Sequence, residues 1–358
     1  MVPAQGWHRT VTSKPGPIAT PDRWSIASLT GRTSEDGERR LGKRHGPHAV
    51  PVLFARPVRA KRPVFASGIP IDTALRDIGR SGLAHFIGNM QAVSAETPEA
   101  VHQMRVALRR LRSILAAFKP NIATAQYRLA NNQLKLLSGT LETPRNWDVI
   151  AEEILLPVCN AVPGDENLRR LVAMVESERQ AAYRKLGEDI GTSACRATVL
   201  SLGHWFETHA WRESGSAEQA AWFARPVGEV ARILVARSHR KAKQRSRNFG
   251  TLSPPERHEL RIALKRLRYT IECLASQFDV GAADFYLKRL RLLLNDLGYA
   301  NDVRTARIVL RELADSTDDG AIRRAVTLVL DWHKHNRASR ETGSYKHMRR
   351  FRQAKIFW

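Results

Sequence analysis

Residues His102–Arg112 read H-Q-M-R-V-A-L-R-R-L-R, and residues His258–Arg268 read H-E-L-R-I-A-L-K-R-L-R. Seven of these eleven positions are identical at a constant offset of 156 residues, and Met104/Leu260, Val106/Ile262 and Arg109/Lys265 are conservative pairs. Around the first copy, Val101, Met104, Leu108, Leu111, Leu115 and Phe118 recur at intervals of three and four, the spacing of one helical face. Leu260, Leu264, Leu267, Ile271, Leu274 and Phe278 make the corresponding face of the second copy. The repeat therefore predicts one amphipathic helix used twice.

The same offset pairs Pro70 with Pro226, Thr97-Pro98 with Ser253-Pro254, and Leu134, Leu136, Leu137 and Leu141 with Leu290, Leu292, Leu293 and Leu297. From Pro70 onward apolar residues recur at three and four and no alternating β-branched run occurs. The predicted fold is all-α: two pseudo-symmetric antiparallel helical bundles made by internal duplication, at about 70–211 and 221–358, with a basic groove or pore between them. Arg212–Ala220 is the expected connection, and turns are expected near 142–146 and 298–302. Ser253-Pro254-Pro255-Glu256 is a capping box with Pro in the first turn, and Thr97-Pro98-Glu99 is a less complete version of it.

Beside each apolar seam runs a second stripe. His102, Arg105, Arg109 and Arg112 are spaced 3-4-3, as are His258, Arg261, Lys265 and Arg268. Each stripe is displaced one residue, about 100°, from its seam. Like charges one turn apart repel, and the stripes are read as lacking acidic i+3 or i+4 partners. A bound anion relieves that repulsion, and the planar guanidinium fork takes two phosphate oxygens at once. Arg110 and Arg266 project off the other shoulder. Neither histidine has a second histidine or a carboxylate at metal-ligand spacing, so no metal site and no cofactor are expected.

A further basic run, Arg237–Arg247, contains Arg237, Arg240 and Lys241 and precedes the second motif, whereas the aligned Ser81–Gln91 contains no Lys or Arg. The second half is therefore expected to carry more of the binding. Arg291, aligned with Lys135, extends the same lining. The C-terminal stretch from Tyr345 to Trp358 reads as a last helix with a basic outer face.

The chain as a whole carries 58 Lys and Arg against 35 Asp and Glu, a net charge of +23, which directs attention to polyanions. Residues 1–69 hold twelve of those cations and four of the acids among many Pro, Gly, Ser and Thr, and read as a disordered basic arm. The three cysteines, Cys159, Cys195 and Cys273, are scattered, which fits a reduced, cytoplasmic setting and neither a disulfide framework nor a zinc site. No window resembles a membrane span or a signal peptide.

V-H-Q-M-R-V-A-L-R-R-L-R-S at 101–113, followed by P-R-N-W-D-V at 144–149, resembles the first half of the CHAD family, the conserved histidine α-helical domain. H-E-L-R-I-A-L-K-R-L-R-Y, then L-G-Y-A-N-D-V, resembles its second half, and F-R-Q-A-K-I-F-W resembles its C-terminus. The resemblance covers about residues 70–358. It implies binding of inorganic polyphosphate, often on cytoplasmic polyphosphate granules, by the basic positions His102, Arg105, Arg109, Arg110, Arg112, His258, Arg261, Lys265, Arg266 and Arg268. Asn146 departs from the Arg-Asp usual in that turn, while Asp302 is retained in the second. No Glu-x-Glu-x-Lys of a triphosphate-tunnel (CYTH) domain stands in the first 69 residues, so a stand-alone member without phosphohydrolase activity is expected. Nucleic acid is the competing ligand class, as a weaker competitor. The stripes lack interleaved aromatics for base stacking. An enzyme acting on phosphate chains would need metal-binding carboxylates and a positioned nucleophile, and the motif supplies neither.

Overall fold

In a computed structural model, residues 56–66, 68–94, 97–212 and 216–358 are described, with side chains except at 337–340. The chain is helical and contains no strand among these residues. Helices α1 (Ile71–Met90), α2 (Pro98–Ile122), α3 (Ala125–Thr140) and α7 (Ser193–Glu207) pack on one another in the first half. In the second, α10 (Pro254–Leu274) packs between α9 (Val227–Arg245) and α11 (Val280–Asp315), and α13 (Arg337–Arg352) packs on α11. The expected connection contains a helix of its own, α8 (Ala217–Ala224), capped by Ser216.

The two motif helices start at Pro98 and Pro254, which are 156 residues apart. Proline suits the first turn because its missing N–H has no partner to lose there. The capping box forms at Ser253, whose backbone N–H donates to Glu256 Oε2 at 2.8 Å. Thr97 makes no side-chain cap. The apolar seams pack as read within the helices: Val101, Met104, Leu108, Leu111, Leu115 and Phe118 are all buried, as are Leu260, Leu264, Leu267, Ile271 and Leu274, whereas Phe278 lies beyond the end of α10 and is half-buried.

The halves touch in two places. α2 lies directly against α10, and at the same end Pro70 and Pro226 form an isolated antiparallel bridge. Ile71 N–H donates to Arg225 O at 2.9 Å, and Val227 N–H donates to Ile69 O at 2.8 Å. Each of these bonds is the other transposed by 156 residues. Elsewhere α6 (Glu166–Gly191) packs on α12 (Gly320–His335), and α4 (Glu142–Val149) packs on α11. The stripes of α2 and α10 therefore have α4 and the middle of α11 as neighbours.

Two expectations are corrected. No turn occurs near 298–302, because α11 runs unbroken through it, and residues 142–146 lie inside α4, the break from α3 falling at Leu141. The corresponding stretch of the first half is divided into α4, a π-helical turn at Ile150–Leu155 and α5 (Leu156–Ala161). The difference is proline. Pro144 and Pro157 remove helix donors, and the ring of Pro157 crowds the carbonyl four residues before it, where the helix widens. Ala300 and Leu313 stand at the equivalent positions of α11.

The structureless arm does not reach residue 69. Residues 56–66 form an extended strap fixed to both halves. Val58 N–H donates to Asn89 Oδ1 at 2.9 Å, and Asn89 Nδ2 donates back to Val58 O at 3.0 Å. Further along, Phe65 N–H donates to Ser276 Oγ at 3.2 Å and Arg62 pairs with Asp284 at 2.7 Å. Residues 1–55 lie outside the described residues. No helix among the described residues is long and apolar enough to cross a membrane.

Candidate polyanion-binding site

The packing of α2 on α10 brings the two cation stripes together. Arg105 and Arg109 lie close enough to Arg261 and Lys265 to perturb their ionisation. The flanking helices add charge of both signs: Arg145 and Glu142 from α4 beside Arg105, and Asp302 and Arg304 from α11 beside Arg261. The cations outnumber the acids, and they are partly buried.

That burial has measurable consequences. Desolvation, then the neighbouring Arg261 and Arg109 charges, push the Lys265 ammonium down to about 7. Desolvation followed by repulsion from Arg109 lowers Arg105 to about 10, partly countered by Glu142. Arg261 and Arg112 are also lowered, in both cases first by burial. These shifts record desolvation first and mutual repulsion second, and a counter-anion would offset both. The Nε atoms of Arg109, Arg112 and Arg261 are buried without a hydrogen-bond partner among the described residues. Buried donors are rarely left so, which makes them candidates for ligand contact.

The histidines differ from the arginines and from each other. Burial, then Arg145 and Arg109, hold His102 down at about 4, so its ring is neutral at physiological pH. His258 is exposed on the rim. His102 therefore adds no positive charge to the stripe at that pH.

The remaining expected positions separate into three groups. Arg112 neighbours Arg266, and Arg266 neighbours Lys241, with Lys119 and Arg245 close by. The stripe thus continues onto a second basic surface. Arg237 and Arg240 are exposed on α9, one turn or less from Lys241. Arg291 is exposed on α11 eleven residues before Asp302, three turns along the same face and ~16 Å away along the helix. Arg110 and Arg268 are engaged elsewhere. Arg110 is 8% exposed and its Nη1 donates to Lys61 O in the strap at 3.1 Å. Arg268 pairs with Glu272 at 2.8 Å and lies over the Tyr269 ring. Glu272, four residues on, is thus the acidic partner that the stripes were read as lacking.

Arg145 and Arg304 were not singled out from the sequence. Arg145 stands in the quoted P-R-N-W-D-V, but nothing local marks it as facing α2. It is held from beneath: its Nη2 lies 3.2 Å from Glu153 Oε1, and its Nη1 lies 3.9 Å from Asp148 Oδ2. Asp148 is buried and accepts from Tyr183 Oη at 3.0 Å. Its desolvation raises it to about 6, against the pull of Arg145 and Arg179.

The class of protein is thus an all-α scaffold with a repeated His-Arg helix whose two copies bring their cations together. The chain belongs to the CHAD domain family, whose model matches residues 77–311, and no CYTH domain is detected in it. It superposes on the crystal structure of the CHAD domain from the plant Ricinus communis with a TM-score of 0.71 at 24% identity, covering 84% of this chain and 99% of that one. It also resembles PptA from Streptomyces chartreusis, with a TM-score of 0.55 at 15% identity, covering 78% of this chain and 99% of that one. At these identities the likeness is one of fold. No curated protein sequence matches the chain.

Proposed function

We propose that the chain binds inorganic polyphosphate in a groove walled by the stripes of α2 and α10, two helices that arose by internal duplication. The observation that carries this reading is the convergence of Arg105 and Arg109 with Arg261 and Lys265, held apart from enough acid to neutralise them. A linear polyanion offers a charge at every unit, so one chain can neutralise both walls and replace their mutual repulsion. Membership of the CHAD family, linked in general to polyphosphate, supports the same ligand. The groove is a binding site without catalysis, and the protein is directed through it to cytoplasmic polyphosphate granules. Arg105, Arg109, Arg145, Arg261 and Lys265 form the centre. Arg112, Arg266 and Lys241 carry the chain outward, with Arg237, Arg240 and Arg291 beyond them, a neutral His102 in the wall and His258 at the rim. Arg110 and Arg268 support the helices that present the others.

Titration of labelled long-chain polyphosphate into the full chain, followed by fluorescence anisotropy, tests the reading. Affinity is expected to fall linearly with salt on a double-logarithmic plot, as counterion release requires. Long chains should bind far more tightly than inorganic triphosphate, because only they reach both walls and the outer surface. Duplex DNA or RNA in excess should leave the complex intact. Equal affinity for triphosphate, or displacement by nucleic acid, would reject the groove. Shortening of the chain during incubation with magnesium would reject the assignment as a binder alone.

A further inference from the structure

A cavity of about 430 Å³ opens in the second half between the start of α10, the middle of α11 and the facing ends of α12 and α13. Its floor is apolar, with Leu297 and Val303 beside the ring of Tyr299. That ring is fixed, because Tyr299 Oη lies 2.6 Å from His333 Nδ1. The mouth is cationic, with Arg261, Arg304, Arg307 and Lys334 in the lining. The two acids that line it are already committed: Asp296 lies 2.7 Å from His347 Nδ1, and Glu341 lies 3.4 Å from Arg257 Nη1. Arg261 belongs both to this mouth and to the stripe of α10.

We propose that this cavity binds a nucleotide, with its base on the apolar floor and its phosphates at the cationic mouth. An inorganic anion makes no use of an apolar floor, and an uncharged apolar ligand leaves Arg304, Arg307 and Lys334 unanswered. A flat, mostly apolar body joined to several phosphates uses both, and the volume falls in the range of small-ligand pockets. Arg261 sets the direction: the outermost phosphates point toward the stripe. The site does not depend on the groove taking polyphosphate.

Isothermal titration of the full chain with ATP, adenosine and inorganic triphosphate, each without metal, tests this. ATP is expected to bind one per chain, roughly tenfold or more tighter than inorganic triphosphate, the gain expected from burying a flat ring. Adenosine should bind more weakly than ATP. Ala300→Trp places a large side chain in the cavity from an exposed position of α11. It should weaken ATP at least tenfold and leave long-chain polyphosphate within about threefold of its original affinity. The pair Arg307→Glu and Lys334→Glu, both at exposed positions, should weaken ATP similarly. Triphosphate binding as tightly as ATP, or ATP binding unchanged in the charge-reversed pair, would overturn the nucleotide site. Failure of polyphosphate to bind while ATP binds as expected would overturn only the groove.

Discussion

The two halves present nearly the same motif helix to opposite neighbours. Opposite α2, the segment Arg145-Asn146-Trp147-Asp148 turns its cation toward His102 and Arg105 and buries its acid beneath, on Tyr183. Opposite α10, the equivalent Asn301-Asp302-Val303-Arg304 does the reverse: Asp302 faces Arg261 and Lys265, and Arg304 is exposed. Each half sets one cation and one acid beside its stripe, Arg145 with Glu142 and Arg304 with Asp302, but only in the first does the cation bear on the histidine. Lys265 makes the clearer contrast: at about 7 it is only partly charged at neutral pH, and the first half has Arg109 at that position. Charge counting along the chain favoured the second half because of Arg237–Arg247. Around the central stripes the halves differ chiefly in Lys265, which carries less charge at neutral pH than an arginine.

The largest effect should come from reversing one wall at a time. Arg105→Glu with Arg109→Glu is expected to weaken polyphosphate binding by more than about a hundredfold. Arg261→Glu with Lys265→Glu should cost about tenfold less, since Lys265 is only partly charged at pH 7 and the pair removes less positive charge. Circular dichroism should show unchanged helix in both, because each apolar seam is untouched. Equal losses in anisotropy titrations would erase the contrast between the halves, and loss of helix would make the stripes structural.

How much of this could be read from the chain alone follows from the range of the forces involved. The motif helices, their starts at Pro98 and Pro254 and the capping box at Ser253 rest on local rules, and the structure has each of them. The unbroken α11 was missed because the offset alignment carried a turn across from a segment broken by Pro144 and Pro157, where the second half has Ala300 and Leu313. The strap was missed because Asn89, Ser276 and Arg110 reach residues 56–66 only after the helices have packed. Arg145 has the same character. Its sequence neighbours fix its helix, but its view of Arg105 depends on α4 docking against α2.

Exchanging the residues that distinguish the two segments tests the contrast more finely. Arg145→Asn gives the first half the residue of the second, and should weaken polyphosphate about tenfold through loss of one charge-assisted contact. Asp302→Asn gives the second half the residue of the first. At pH 6, where Lys265 is protonated, it should strengthen binding by about threefold, since an acid no longer competes for Arg261 and Lys265. Stronger binding by Arg145→Asn would place that side chain in support of Asp148 and Glu153 only.

A further effect belongs to pH and is specific to the second half. The free protein holds Lys265 at about 7 through burial and through the charges of Arg261, Arg109 and Arg105, with Asp302 opposing. A bound polyanion favours the ammonium, so the complex has the higher pKa and binding takes up a proton. Affinity is therefore level below pH 7, declines as pH rises from 7 through the pKa of the complex, and levels again above it. A bound pKa about one unit higher makes the decline between pH 6 and 9 close to tenfold, the energy of one pKa unit. Lys265→Arg puts in the second half the residue that the first has at Arg109, a cation that does not titrate in this range, and should flatten the profile. His102, held at about 4, contributes nothing above pH 6, so a decline that persists in Lys265→Arg would have to arise outside the central stripes.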